Sequence, residues 1–210
     1  MPLQQGKGRL IVFEGIDGSG KTTQARLLAA RMRKAELPVY ETREPTERPA
    51  GRLLREVLMG MHRMDDGTLA MLFAADRMDH LMNEENGMLA KLESGAHVVC
   101  DRYYLSSYAY QSVNLPLDWV VSLNAQSAAL VRPVCHVFID VSPKVALARL
   151  SQSREQMELF ENIERLAATR AQFFDVFDRM RNEENIVVIN GEQSAEAVEA
   201  DVWRAVQKYL

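Results

Sequence analysis

Residues Gly15-Ile16-Asp17-Gly18-Ser19-Gly20-Lys21-Thr22 meet every constrained position of the phosphate-binding loop pattern G-x-x-x-x-G-K-[ST]. No other stretch limits the fold as tightly, because this pattern works only between a strand and a helix. Upstream, Leu10-Ile11-Val12-Phe13 is a short apolar run rich in β-branched and aromatic residues, which predicts a buried strand. Downstream, Ala25, Leu28, Met32 and Ala35 recur at helical spacing between polar Gln24, Arg26, Arg31 and Arg33. In that setting the glycines let backbone N–H groups face inward around a polyphosphate, and the helix N-terminus adds its partial positive charge. Lys21 can reach the outer phosphates, and the Thr22 hydroxyl can ligate Mg²⁺.

The same alternation continues along the chain. Strand-like runs at 9–14, 38–42, 97–101, 134–140 and 185–190 are separated by helical patterns near 21–36, 50–61, 68–93, 117–131, 143–151, 161–182 and 194–209. Ser142-Pro143 reads as a cap followed by a first-turn proline, and Ser194 as the cap of the last helix. Alternating elements predict an α/β fold, a parallel sheet with helices on both faces. Ligands of such sheets gather beyond the carboxyl ends of the strands. No Pro/Gly/Ser linker divides the 210 residues, so residues 1–210 read as one domain with a small lid. A net charge of −4 argues against general nucleic-acid or membrane binding, and any anion site must be built locally. Cys100 and Cys135 each lie in an apolar run and read as buried thiols of a reducing compartment. Without an apolar leader or a run of 18 apolar residues, the expected location is cytoplasmic.

The strand ends carry the chemistry. After the second strand, Arg43 in Thr42-Arg43-Glu44-Pro45 is either a phosphate ligand or half of a surface Arg43–Glu44 pair. In Leu72-Phe73-Ala74-Ala75-Asp76-Arg77-Met78-Asp79-His80, Phe73 and Arg77 share a helix face with His80 close by. An aromatic plane beside a guanidinium suits a base, although a large aromatic on an apolar helix is more often core. His80 reads as a partly exposed helix residue. Asp101, at the end of Val98-Val99-Cys100-Asp101, offers a hard oxygen to Mg²⁺, directly or through water. Arg102 beside it suits an acceptor phosphate, the alternative being an Asp101–Arg102 pair that closes the strand. The hydroxyl- and amide-rich Tyr104-Leu105-Ser106-Ser107-Tyr108-Ala109-Tyr110-Gln111 suits a small polar molecule. Residues 149–156 break the apolar period and read as a mobile lid carrying arginines, or as a solvated turn between helices.

Together these segments resemble thymidylate kinases, a P-loop nucleoside monophosphate kinase family. Phe13 to Gln24, Thr42 to Pro45, Leu72 to Arg77, Asp101-Arg102-Tyr103 with Ser106 to Gln111, and Asp140-Val141-Ser142 carry the likeness in order and spacing. The resemblance implies a three-layer P-loop NTPase fold, a five-stranded parallel sheet flanked by helices, with a short lid at about 149–160, usually in a homodimer. It implies phosphoryl transfer from MgATP to dTMP, giving ADP and dTDP in dTTP biosynthesis. ATP would lie on Gly15, Ile16, Asp17, Gly18, Ser19, Gly20, Lys21 and Thr22, with Mg²⁺ at Thr22 and Asp101. Phe73 would stack on thymine, Arg77 would bond its edge, and Ser107 and Gln111 would complete the base contacts. Tyr110 would sit against the sugar where a ribose 2′-OH would crowd it. Asp17 would approach the 3′-OH, while Arg43 and Arg102 would hold the dTMP phosphate. Catalysis would fall to Lys21, Asp101, Arg102 and a lid arginine. Gly18 stands where one branch of the family has a basic residue, which sends that charge to Arg154, with Arg149 second. Two other readings are a kinase for another deoxynucleotide or deoxynucleoside, and a nucleotide-dependent switch with no small-molecule acceptor.

Overall fold

Strand β1 (Leu10–Glu14) is buried along its whole length, and its side chains alternate between two cores. Leu10 and Val12 join one cluster with Cys100 and Phe138, while Ile11 and Phe13 join another with Val99, Val137 and Ile139. A computed structural model describes the backbone of residues 8–151 and 159–210 and the side chains of 8–150 and 163–210. Around β1 stand β2 (Val39–Arg43), β3 (His97–Asp101), β4 (Cys135–Asp140) and β5 (Ile186–Asn190). All pairings are parallel, in the order β2-β3-β1-β4-β5. The near-continuous apolar runs of the three inner strands are what a sheet covered on both faces requires.

Helices α1 (Lys21–Lys34) and α9 (Ala195–Val206) supply Leu28, Met32, Val198 and Val202 to one core. The other face carries α5 (Tyr104–Gln111), α6 (Leu117–Leu130), α7 (Pro143–Ser151) and α8 (Leu159–Met180). The remaining helices are α2 (Pro49–Leu58), α3 (Asp66–Met82) and α4 (Met88–Glu93). Both predicted caps form: Ser194 Oγ accepts from Ala197 N–H at 3.3 Å, and Ser142 Oγ from Val145 N–H at 3.4 Å.

Two helical expectations need correction. The pattern at 68–93 is two helices, α3 and α4. Asn83 leaves the helical region (ψ 130°), and at Gly87, the cap of α4, a Cβ would lie 2.4 Å from the Asn83 carbonyl oxygen. The second concerns α5, which lies where no helix was predicted and shows no helical period in its sequence. Its residues 104–109 are all buried, so no solvent face imposes a polar stripe. This helix starts directly beyond β3 and lines the carboxyl edge of the sheet.

Candidate active site

The loop between β1 and α1 is shaped by its glycines. Gly18 has φ +79°, and a Cβ there would lie 2.3 Å from the Ala146 carbonyl oxygen; Gly20, at φ +93°, caps α1. Lys21 is buried against this loop. Its ammonium donates to the Ile16 carbonyl at 3.3 Å and lies 3.6 Å from the Asp17 carboxylate. Burial first, and the nearby Arg102 second, push the Lys21 pKa down to about 8. The Thr22 hydroxyl donates to Asp101 Oδ2, and Asp101 Oδ1 is buried without a hydrogen-bond partner. A hydroxyl beside a carboxylate with an unsatisfied oxygen is a hard-oxygen donor set that fits Mg²⁺.

Arg102 does not pair with Asp101. Its backbone sits at φ +73°, and its guanidinium reaches back to the loop. One terminal nitrogen donates to Asp17 and, at 3.2 Å, to the Tyr110 hydroxyl; the other donates to Ser106 Oγ at 3.2 Å. The guanidinium carbon lies 4.8 Å from the centre of the Tyr110 ring. Burial opposes the charge on Arg102, but Tyr110, Asp17 and Asp101 outweigh it and raise the pKa. At Asp17 burial again opposes ionisation, and Arg102 and Lys21 prevail, so its carboxyl is held below the usual range.

Beyond Arg102 opens a cavity of about 430 Å³ whose lining includes Asp17, Arg43, Phe73, Arg77, Arg102, Ser107, Tyr110 and Gln111. The structure therefore brings the predicted acceptor residues to one place. Phe73 is half-buried in the cavity wall and belongs to neither core cluster, which decides against the core alternative. Arg77 is fully buried. Its Nε donates to Glu44 at 2.9 Å, Nη2 lies 2.7 Å from the same carboxylate, and Nη1 donates to Ser107 Oγ at 3.0 Å and to Asn124. Burial works against this charge, and Glu44 more than compensates, raising the Arg77 pKa. Of the five N–H groups of a guanidinium, one on Nη2 is left after these contacts. Gln111 Oε1 is buried with no donor facing it.

The proposed Arg43–Glu44 surface pair does not form. Glu44 is buried between Arg77 and His80, whereas Arg43 is exposed and pairs with Glu47. His80 is not partly exposed, as its position on α3 suggested. It is 2% exposed, with Nδ1 3.1 Å from Glu44 and Nε2 2.7 Å from Thr42 Oγ1. Sequence reading also missed Asp76, whose carboxylate accepts from the N–H and hydroxyl of Thr46 at 2.8 and 2.5 Å and anchors the β2–α2 loop. Asn124 was missed too, although it stands between buried Val120 and Ala128 at helical spacing, where a polar residue signals a buried partner. Arg55, Asp66, Asn114 and Arg165 also line the cavity, and among the described residues Arg165 forms no ion pair.

On the donor side, Arg149 donates to the carbonyls of Ser19 and Gly191 at 3.0 and 2.8 Å, tying the loop to the turn after β5. Arg154 and most of the lid predicted at 149–160 lie outside the described residues.

Comparison with known proteins gives a consistent result. The family model for thymidylate kinase matches residues 13–202. A putative thymidylate kinase of Aeropyrum pernix is 38% identical over 202 residues, 95% of this chain and 90% of that protein. A probable thymidylate kinase of Pyrococcus abyssi is 34% identical over 213 residues, covering 97% and 98% of the two chains. The thymidylate kinase of Symbiobacterium thermophilum is 33% identical over 204 residues, covering 95% and 93%.

Proposed function

The chain belongs to the thymidylate kinase family, and we propose that it transfers the γ-phosphoryl group of ATP to dTMP, giving ADP and dTDP for dTTP synthesis. One observation carries the reading. Arg102 bonds at once to Asp17 of the phosphate loop and to Ser106 and Tyr110 on the cavity wall. A ligand phosphate held by Arg102 therefore lies beside the donor loop, as transfer between two bound nucleotides requires.

Within the cavity, Phe73 would stack on thymine, and the remaining Arg77 N–H and the unpaired Gln111 oxygen would meet its edge. Ser107 fixes Arg77, and Tyr110, held by Arg102, would lie against the sugar with Asp17 near the 3′-OH. Arg43 and Arg102 would grip the phosphate. Because the second phosphate pKa is near ~6, this group is largely dianionic at neutral pH and needs no general base. Lys21, Arg102 and a lid arginine, Arg154, would then stabilise charge on the moving phosphoryl group. Mg²⁺ held by Thr22 and Asp101 would add positive charge at the ATP phosphates.

Three adjoining helices support a homodimer. Leu58 on α2, Met71 and Met82 on α3, and Trp119 and Leu130 on α6 are exposed apolar side chains. Contacts join α2 to α3 and α3 to α6, so a second copy stacked on this face would cover a large part of that surface. Residues 1–210 act as one domain in this reading. Among the described residues no helix is long and apolar enough to cross a membrane. Cys100 and Cys135 are free and buried, which suits a cytoplasmic protein.

A coupled ADP-release assay across dTMP, dUMP, dCMP, dGMP and thymidine tests the function. The expected order puts dTMP first and thymidine, which brings no phosphate to Arg102, at background. Preference for another monophosphate would overturn the assignment of the acceptor, and equal ADP release without any acceptor would point to a nucleotide-dependent switch.

A further inference from the structure

The face of β1 and β4 that carries Leu10, Val12 and Phe138 holds two wholly buried ionisable residues. Glu14 continues the Leu10–Val12 side of β1, and His136 shares the Phe138 side of β4; both are wholly buried. Neither touches the acceptor cavity, and neither has a part in the reaction described above. Burying ionisable groups on a core face is costly unless they are matched, so their placement calls for a partner and a use.

Glu14 is connected to Arg102 twice. Its Oε1 accepts from the N–H of Tyr103, the next residue in the chain, at 3.2 Å. Its Oε2 accepts from the Ser106 hydroxyl, and Ser106 Oγ in turn accepts from Arg102 Nη1 at 3.2 Å. The hydroxyl proton is thus committed to Glu14, which leaves the Ser106 lone pairs for the guanidinium. The backbone contact matters because Arg102 occupies the left-handed region, φ +73°, which a residue other than glycine adopts at a cost. A bond from the Arg102 N–H to the Phe13 carbonyl at 2.9 Å and the Glu14–Tyr103 bond close this turn on both sides.

Behind Glu14 stands His136. Its Nδ1 is 3.8 Å from Glu14 Oε1, and its Nε2 is 3.4 Å from Glu184 Oε2. The third group against the ring is Tyr104 of α5, with ring centres 5.4 Å apart. The Tyr104 hydroxyl donates to Glu184 at 2.9 Å, and Arg132 approaches the same carboxylate at 3.4 Å. Glu184 therefore has a second cation, whereas among the described residues His136 is the only basic group within ion-pair reach of Glu14. Among the described residues neither ring nitrogen has a hydrogen-bond partner, so what His136 offers Glu14 is charge, which only the imidazolium carries.

We propose that Glu14 is a positioning residue for Arg102 and that His136 balances its charge, so that this buried pair sets the grip on the acceptor phosphate. The proposal rests on the reading of the cavity as a dTMP site and names residues that reading leaves unused. Burial disfavours the imidazolium, but the carboxylates of Glu14 and Glu184 outweigh burial and raise the His136 pKa above its ordinary value. The sign follows directly. Below the raised pKa the imidazolium is present and Glu14 is balanced; as pH rises through it the charge is lost, and the hold on Arg102 weakens.

The test measures KM for dTMP, KM for ATP and kcat between pH 6 and 9.5 in the parent, Glu14→Gln, His136→Gln and Ser106→Ala, with thermal melts alongside. Glu14→Gln and Ser106→Ala should raise KM for dTMP about 10- to 100-fold, the scale of a displaced positioning group, with KM for ATP within about twofold of the parent. The parent should show KM for dTMP rising at alkaline pH, and His136→Gln should raise KM for dTMP at pH 7 and abolish that rise. A folded Glu14→Gln with parental KM for dTMP, or a His136→Gln that keeps the parental pH profile, overturns the proposal. If the two buried variants do not fold, Ser106→Ala decides alone through its pH profile: loss of the alkaline rise in KM for dTMP upholds the connection to Glu14, and a rise like the parent's overturns it. A parent inert toward dTMP overturns the cavity reading and this proposal with it, whereas an active parent with unaltered variants overturns this proposal only.

Discussion

The phosphate loop and the acceptor cavity lie on either side of Arg102, and they are built in opposite ways. The loop is backbone: residues 15–22 are contiguous, and three glycines with positive φ turn the chain so that its N–H groups and the start of α1 face one point. The cavity is side chains, brought from the phosphate loop, the end of β2 and the loop after it, α2, α3, α5 and α8, and most of its charged members are bonded before any ligand arrives. Arg77 meets Glu44, Ser107 and Asn124; Glu44 meets His80; His80 meets Thr42. The donor side therefore depends on local chain conformation, and the acceptor side on a network in which losing one member strands another. Where each site should fail, and by how much, follows from that contrast.

The largest effect belongs to the arginine proposed to stabilise charge on the moving phosphoryl group. Arg154→Ala should lower kcat about 10³- to 10⁵-fold at saturating ATP and dTMP, the range for an arginine that meets a transferring phosphoryl group. Arg165→Ala, which removes the unpaired cation on the cavity wall, should leave kcat near the parent value. Steady-state ADP release reads both. The opposite ranking would move the role from the lid to α8 and make the acceptor cavity its own source of transition-state charge.

Next comes the network. Glu44→Gln keeps the shape of the side chain but leaves Arg77, 1% exposed, without a counter-charge. Breaking a buried pair from one side costs about 3–5 kcal/mol, so a urea titration should show a loss of that order while ATP affinity stays at the parent value. A variant as stable as the parent would mean that the cavity is no more interdependent than the loop.

The same contrast governs what the sequence discloses. A backbone-built site is written as consecutive letters, which is why Gly15 to Thr22 could be read with its flanking strand and helix. Asp101 and Arg102 were legible because a charged pair at the end of an apolar strand is anomalous in itself. The cavity was not legible in this way. Glu44 looked like the partner of its neighbour Arg43, and nothing local shows that it turns inward to Arg77, 33 positions away along the chain. His80 sits on a helix where an exposed polar residue is the ordinary case, and α5 hid its helical period because its residues 104–109 are all buried. Spacing alone puts Phe73 and Arg77 on one helix face, but only the resemblance, which supplied several distant segments together, favoured stacking over core for Phe73.

A third measurement separates ligand contacts from framework. Phe73 is half-buried and outside both cores, so Phe73→Ala should weaken dTMP binding by about 1–3 kcal/mol, the scale of base stacking on an aromatic ring. Calorimetry with dTMP and a melt of the free protein give the two numbers. A fall in stability with unchanged affinity would return Phe73 to the framework and reduce the cavity to its charged network.

The smallest effect is expected from Gly20→Ala, and it is the sharpest probe of the loop. At Gly18 a Cβ would strike the Ala146 carbonyl, so substitution there mixes collision with strain. At Gly20 the nearest atom to a Cβ is Arg149 Nη1 at 3.8 Å, an ordinary contact, and the cost lies in holding alanine at φ +93°. That cost is about 1–2 kcal/mol. It should fall on stability and on MgATP affinity, because the first turn of α1 must shift to relieve it, and titration with dTMP should be unmoved. An equal loss of dTMP affinity would show that the strain passes through Asp17 to Arg102. Loop and cavity would then be one device joined by that ion pair, and the division between a backbone site and a side-chain site would fail at the residue that links them.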